Sequence, residues 1–137
     1  MRFKELVKVD SKGRITIPLA IREALGIREG MNVLLVADID EKKVFITPIP
    51  DRAKLIEITV VVEDRPGAVA EISKTLADRG IDIVALKCVV IKRGEIGECT
   101  LIVDTSKSLV STPQEIQQLL NELEIVREVV ASEVQGT

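Results

Sequence analysis

Residues 64–86, DRPGAVAEISKTLADRGIDIVAL, combine the signals of a turn, a helix and a following strand in one uninterrupted stretch. The preceding apolar residues 55–63 are rich in Val and Ile and predict a strand that runs into the turn. A helix is predicted over 66–79, because apolar side chains recur at helical spacing and Gly80 supplies a C-terminal stop. The predicted apolar face consists of Val69, Ile72 and Leu76. The stretch therefore predicts a strand, a helix and a second strand in succession.

The segments that follow extend this pattern to six elements. Residues 81–92 and 98–105 predict the two strands of a hairpin that turns near 94–97. A capping box at 112–115, with proline at the first helical position, opens a second helix, and residues 124–134 predict a last strand. A βαββαβ order with both helices on one face of a four-stranded antiparallel sheet is the ferredoxin-like arrangement.

The first 50 residues predict four short strands and one short helix. The strands are expected at 6–10, 14–17, 31–39 and 43–49, and the helix lies within PLAIREALG (18–26). A domain this small encloses too little apolar surface to be stable by itself. This half of the chain is therefore expected to pair its hairpins with those of a second chain, within an α+β fold.

The proline-containing stretch 48–52 predicts a linker that divides the chain into domains 1–50 and 51–137. The first domain carries nine Lys/Arg against seven Asp/Glu, a net charge of +2. The second carries ten against fifteen, a net charge of −5, and the two values give the −3 of the whole chain. Only the first domain therefore has a charge balance that suits a polyanion.

The composition argues against an enzyme, and no cofactor or metal ion is predicted. Histidine is absent, which removes the commonest general base and metal ligand, and two cysteines cannot form a four-ligand zinc site. Aromatic residues are 1% of a chain that is 46% hydrophobic, so light aliphatic side chains must build the core and oligomerisation is favoured. Without an apolar run of membrane-spanning length, a cytoplasmic protein with no membrane partner is expected.

Cys88 and Cys99 are predicted to be two free, buried thiols in a reducing compartment. A hairpin that turns between the two glycines would pair Cys88 with Val103 and Cys99 with Lys92. The thiols would then lie about 13 Å apart along the strands, whereas the Cα atoms of a disulfide lie within about 7 Å. A disulfide is therefore not expected.

The run VKVDSKGRITIPLAIREALGIREGMNVLLV (7–36), followed by KKVFITPI (42–49), resembles the AbrB-type swapped-hairpin DNA-binding domain. The resemblance covers essentially all of residues 5–49. It implies an intertwined homodimer, or a higher homo-oligomer, whose paired hairpins form one continuous, barrel-like sheet. It also implies that arginines from the strand after the first turn and from the helix reach duplex DNA.

Four basic side chains correspond to the DNA-contacting positions of this resemblance. They are Arg14, Arg22, Lys12 and Lys8. A guanidinium group can bridge two phosphate oxygens or bind a guanine edge, which suits both arginines to this role. The alternative for each is a solvated surface charge. Glu23 departs from the pattern, since some members of the family carry a second arginine there.

The stretch 64–86, together with the βαββαβ pattern around it, resembles an ACT domain over residues 55–134. The resemblance implies that two copies pair and bind a small effector, commonly an amino acid, at their seam. Contacts would come from the loop after the first strand and, across the interface, from the start of the second strand. The candidates are Asp64, Arg65, Pro66, Gly67, Ala68, Asp82 and Ile83. The alternative is that Asp64 only caps the helix.

Taken together, the two resemblances predict a DNA-binding transcriptional regulator whose second domain senses a small effector, with the linker coupling the domains. One alternative is a regulatory ACT subunit that controls a metabolic enzyme, in which the first domain only dimerises. Another is an antitoxin-like autoregulator. The regular strand and helix pattern after residue 50 argues against this last alternative, because such antitoxins usually carry a disordered tail.

Overall fold

The computed structural model describes residues 2–135, and the chain divides into two compact units between Asp51 and Arg52. Unit 1 contains α1 (Leu19–Leu25), β1 (Asn32–Asp38) and β2 (Lys43–Ile49). Unit 2 contains β3 (Leu55–Glu63), α2 (Ala68–Ala77), β4 (Asp82–Lys92), β5 (Ile96–Asp104), α3 (Pro113–Asn121) and β6 (Val126–Glu133). No helix in residues 2–135 is long and apolar enough to cross a membrane.

Unit 2 has the ferredoxin-like fold that the sequence predicts. Its four strands lie in the order β4-β5-β3-β6, and every neighbouring pair is antiparallel. β3 alternates buried and partly exposed residues along its length, because one face of the sheet is covered and the other is open. The covering helices contribute Ala68, Ile72 and Leu76 from α2 and Ile116 and Leu120 from α3.

The core of unit 2 contains no aromatic side chain, as the composition predicts. Its buried members are Ile, Val, Leu, Ala and Cys, and the largest of them are completely buried. Val69 is 39% exposed, and Ala68 takes the core position in its place. The buried residues of α2 are spaced four apart at 68, 72 and 76, so Val69 lies at the edge of the buried face.

Two of the four strands expected in unit 1 do not form within the single chain. β1 and β2 form an antiparallel hairpin from the Asn32–Ile49 pair to the Asp38–Lys43 pair. Residues 2–17 have no strand, and Ile49 is the only buried hydrophobic residue between residues 2 and 51. A strand requires a neighbour for its hydrogen bonds. The unit is therefore an open two-stranded sheet and no barrel is closed.

The prediction of two free cysteines is wrong, because the β4–β5 hairpin turns earlier than expected. Its turn occupies residues 93–95 and is centred on Gly94, whose φ is 78°, whereas Gly97 lies inside β5. This shifts the register by four residues, so Cys88 pairs with Cys99 and not with Val103. The two Cα atoms lie 4.1 Å apart, and the residues form a disulfide.

Candidate functional site

Asp10 organises the turn that carries the first candidate DNA-contacting arginine. Its Oδ1 accepts hydrogen bonds from the backbone N–H groups of Lys12 at 2.8 Å and Arg14 at 2.9 Å. Its Oδ2 accepts the Nε–H of Arg14 at 2.7 Å. The pKa of Asp10 is lowered by the backbone N–H and then the side chain of Arg14, and also by the backbone N–H of Lys12. The carboxylate therefore stays ionised and holds Arg14 in place.

Arg22 is held in a similar way on α1. Its Nε donates to the carbonyl oxygen of Ile17 at 2.9 Å, which ties the helix to the segment before it. Both arginines thus use Nε within the chain, and neither has a further side-chain partner among residues 2–135. Their terminal amino groups remain available as paired donors. The side chains of Lys8 and Lys12 form no ion pair within the described part of the chain.

Asp64 joins the β3–α2 corner to the β4–β5 turn. Its Oδ2 accepts the backbone N–H of Gly94 at 2.7 Å, and its own N–H donates to the carbonyl oxygen of Glu95 at 3.1 Å. The N-cap of α2 is Gly67, and no side chain accepts a hydrogen bond from that helix end. The alternative role of Asp64 as a helix cap is therefore wrong, since its carboxylate fastens two loops.

The remaining corner residues fix the entry into α2. Gly67 has a φ of 87°, a left-handed conformation that other residues rarely adopt. A Cβ atom added there would have no atom within 4 Å, so the glycine is needed for its backbone conformation and not for space. Pro66 is exposed, whereas Ala68 enters the core.

Asp82 and Ile83 lie at the opposite end of the same sheet. Asp82 pairs with Asp104, which pairs with Leu55 at the beginning of β3, whereas Asp64 follows the last residue of that strand. The strand between them spans about 27 Å at the usual rise. Within one chain, the two predicted halves of the effector site do not meet.

A groove of 460 Å³ adjoins the Asp64 corner. It is lined by Glu63, Asp64, Arg65, Gly94, Glu95, Ile96 and Arg127. Of these seven residues, only Asp64 and Arg65 are among the candidates from the sequence. The β4–β5 turn residues and Arg127 were missed because they lie on elements distant in sequence, and only the pairing of β3 with β5 and β6 brings those elements to the corner.

Two guanidinium groups flank one carboxylate in this groove. Arg65 Nη1 lies 3.4 Å from Glu63 Oε2, and Arg127 Nη2 lies 3.4 Å from Glu63 Oε1. Both contacts exceed the 2.7–2.9 Å that is usual for strong charge-assisted hydrogen bonds. Arg127 is the extra residue of a β-bulge, because Val61 pairs with Glu128 and Val62 with Val126. Such bulges re-aim side chains and are frequent beside functional sites.

The other end of the sheet anchors the start of unit 2. Lys54 donates its N–H to Oδ1 of Asp104 at 3.0 Å, and its carbonyl oxygen accepts the N–H of Thr105 at 2.9 Å. Partial burial by itself raises the pKa of Asp104. The backbone N–H groups of Lys54 and Ser106 outweigh that effect, so the pKa lies below its usual value. Lys54 is thereby fixed to the end of β5.

Metal binding finds no support among residues 2–135, where no group of three Cys, Asp or Glu side chains could hold an ion. What the described residues offer are two different charged surfaces. In unit 1, two exposed arginines are each fixed by a hydrogen bond from Nε. In unit 2, the groove is lined by both carboxylate and guanidinium groups.

Comparisons with known proteins connect both units to described families. Residues 56–128 match the ACT domain family. Residues 6–54 match the family described as "Antidote-toxin recognition MazE, bacterial antitoxin". No curated protein sequence matches the chain significantly.

Solved structures resemble part of the chain. An unknown protein from Galdieria sulphuraria has 15% sequence identity and a TM-score of 0.51, over 62% of this chain and 47% of its own. An ACT domain protein from Streptococcus pneumoniae has 23% identity and a TM-score of 0.47, over 59% and 90%. The C-terminal domain of the MgtC protein from Mycobacterium tuberculosis has 15% identity and a TM-score of 0.45, over 63% and 93%.

The family match to residues 56–128 covers more than half of the chain and coincides with the βαββαβ unit. The match to residues 6–54 agrees with the swapped-hairpin resemblance of the N-terminal sequence. The chain therefore belongs to the ACT domain family and carries an AbrB/MazE-like domain ahead of its ACT domain, a pairing of regulatory and not catalytic modules.

Proposed function

We propose that this protein is a DNA-binding transcriptional regulator whose ACT domain senses a small effector. In this proposal, residues 1–50 form the DNA-binding domain and residues 51–137 form the sensor. The observation that carries DNA binding is the way Arg14 and Arg22 are held. Each is fixed through Nε, to Asp10 and to the Ile17 carbonyl, and keeps its terminal amino groups for phosphates or base edges.

The exposed apolar surface of unit 1 supports a homodimer. The unit leaves many large apolar side chains in solvent and buries only Ile49 among residues 2–51. The exposed set comprises Phe3, Leu6, Val7, Val9, Ile15, Leu19, Leu25, Leu35, Ile39, Val44 and Phe45. A surface of this extent is typical of an interface. A second copy would supply the strand partners that residues 6–10 and 14–17 lack.

The groove beside Asp64 is the proposed effector site. Arg65 and Arg127 offer donors to a carboxylate, and Glu63 between them offers acceptors to an ammonium group. The groove has three carboxylates and two guanidinium groups among its lining residues, which suits a compact zwitterion better than a multiply charged anion. An amino acid is therefore the proposed class of ligand.

A second copy could complete this site through β4. Within residues 2–135 this edge strand pairs only with β5, and it exposes Leu86, Val89, Val90 and Ile91. In an antiparallel pairing of two β4 strands, the Asp82 end of one strand lies beside the Lys92 end of the other. The Lys92 end adjoins the turn that holds Asp64, so Asp82 and Ile83 of the second copy would approach the corner that they cannot reach within their own chain.

DNA binding is tested by fluorescence anisotropy with genomic fragments selected on the full-length protein. The Arg14→Ala, Arg22→Ala double variant should lose most of its affinity, and the affinity of the native chain should fall steeply as salt increases. The Arg79→Ala, Arg93→Ala double variant is the matched control, since it removes the same two charges from exposed positions in unit 2. No binding at low salt, or equal binding by the double variant, would contradict the proposal.

Effector binding is tested by isothermal titration with the proteinogenic L-amino acids. A ligand that binds should lose at least tenfold in affinity with Arg127→Gln and keep it with Arg93→Gln. Its amide and its deaminated acid, which each lack one charge, should bind more weakly than the zwitterion. Asp82→Asn reports whether the second copy contributes. If effector and DNA are coupled, each must change the affinity for the other by the same factor.

The antitoxin-like alternative is favoured by one observation, the match of residues 6–54 to an antitoxin family. An antitoxin would bind a toxin protein with the part of the chain that follows its DNA-binding domain. Here that part is a folded ACT domain. Recovery of a toxin protein with the tagged native chain, in the absence of any effector response, would favour this function over the sensor.

A further inference from the structure

The β4–β5 hairpin contains a pair of cysteines that the proposed regulator does not use. Cys88 lies on the edge strand and is exposed, whereas Cys99 lies on β5 and is 2% exposed within the apolar core. The antiparallel register sets them directly opposite one another, and they form a disulfide. Their separation of 11 residues encloses the whole 93–95 turn.

We propose that Cys88 and Cys99 form a reversible thiol–disulfide site that controls how firmly the β4 edge and its turn are held. The bond ties the edge strand directly to β5, in addition to the backbone of the turn that joins the two strands. Among the described residues β4 pairs with β5 alone, and its ladder shifts register between Ile83 and Ala85 and again between Val90 and Lys92. When the bond is open, the strand is retained by this interrupted ladder and by the packing of Ile83, near its other end, against the core.

The chemistry requires an external thiol, such as glutathione. Its thiolate attacks Sγ of the exposed Cys88, the S–S bond breaks, and Cys99 leaves as a thiolate that takes up a proton. A second external thiolate attacks the mixed disulfide at the sulfur of the external thiol, releasing the Cys88 thiolate, which is also protonated. The chain gains two electrons and two protons, and the external thiols become their disulfide. An oxidised external disulfide reverses both steps.

The fold can accept both states. A free cysteine behaves as a small apolar side chain, so after reduction Cys99 can stay buried among the Ile, Val and Leu side chains of the core. What changes is the constraint on the turn, where Gly94 donates to Asp64 and Glu95 accepts from it. The redox state of the pair therefore acts on one wall of the groove, and this consequence does not depend on which ligand the groove binds.

The experiment compares the full-length protein across a series of glutathione redox buffers. Differential alkylation with mass spectrometry measures the fraction of the disulfide, and hydrogen exchange measures protection of the Gly94 amide. The expected result is complete, reversible opening in folded protein, with several-fold faster exchange at Gly94 in the reduced state. Cys88→Ser should show the fast rate in every buffer. Cys99→Ala should show the same fast rate. Because the two variants lack different thiols and share only the missing bond, equal rates would attribute the effect to the bond.

Three results would overturn the proposal. One is that both thiols alkylate even in the most oxidising buffer, so that no bond forms. Another is that the bond opens only when the protein unfolds in urea, which would make it a permanent structural staple. The last is that the bond opens and closes with no change in exchange at Gly94. None of these results bears on DNA or effector binding, which are measured separately.

Discussion

The backbone N–H of Gly94 donates to Oδ2 of Asp64 at 2.7 Å, although the two residues are 30 positions apart in the chain. This bond, together with the one from Asp64 N–H to Glu95, turns two separate loops into one rigid corner. A loss of effector response in Asp64→Ala would therefore not distinguish recognition of the ligand from assembly of the corner.

Protein stability measures the fastening role of Asp64 without any ligand. Asp64→Ala leaves the Gly94 N–H without its acceptor and should lower the free energy of unfolding by about 1–3 kcal/mol. Asp64→Asn keeps a side-chain oxygen in the same position and should lose less. Urea unfolding followed by circular dichroism measures both values. Asp51→Ala, at an exposed position before the unit, is the control, and equal stability of all three variants would refute the fastening role.

The two carboxylates with lowered pKa predict a loss of stability in acid. The pKa of Asp10 and that of Asp104 lie below the ordinary value of 3.8 in the folded protein. Their contribution to stability is fully present above the unfolded value and is lost as pH falls through the lower folded values. The melting temperature should therefore decline as the pH is lowered below about 4. Asp104→Asn should make this decline with pH shallower. An unchanged dependence on pH would show that the Asp104 carboxylate does not contribute to it.

The aliphatic core predicts a sharp contrast between two leucines of unit 2. Leu120 on α3 is completely buried, whereas Leu109 in the preceding loop is 97% exposed. Leu120→Ala should destabilise the protein by about 2–5 kcal/mol, since the transfer energy is lost and a cavity remains. Leu109→Ala should change stability by less than about 0.5 kcal/mol. Chemical denaturation of the two variants tests the contrast.

At Gly67 the loss of stability on substitution should depend on how well the new residue tolerates a positive φ. Its left-handed conformation costs roughly 1–2 kcal/mol for an ordinary L-residue, although there is room for a Cβ atom. Gly67→Ala should therefore be destabilised by about 1 kcal/mol, and Gly67→Asn by less, because Asn tolerates this conformation. A larger loss in Gly67→Asn than in Gly67→Ala, by urea unfolding, would mean that space and not backbone conformation limits the site.

Much of unit 2 could be predicted from local sequence signals. Strand 55–63 was predicted with the bounds that β3 has, and Thr112 accepts the N–H of Glu115 at the start of α3 as the capping box implies. These features depend on residues close together in the chain. The register of the β4–β5 hairpin could not be predicted in this way, because either Gly94 or Gly97 could have formed the turn. Only Gly94 adopts the left-handed conformation.

The residues of the candidate groove were harder to predict, because their placement depends on pairing between strands that are distant in the sequence. Arg127 reaches it through a bulge between β3 and β6, and no pattern in the sequence of either strand marks the extra residue. The strands expected at 6–10 and 14–17 have apolar alternation but no strand partner in the part of the chain that the structure describes. Strand propensity is local, whereas pairing depends on distant residues or on a second molecule.

The anchoring of Lys54 has a consequence for limited proteolysis. Trypsin needs to draw an extended, unpaired backbone into its active site, and both backbone groups of Lys54 are already bonded to the end of β5. The preceding basic residue, Arg52, lies in an exposed turn and makes no such bonds within residues 2–135. A brief digest should therefore cut after Arg52 and spare the bond after Lys54. It would release an intact sensor fragment whose first residue is Ala53.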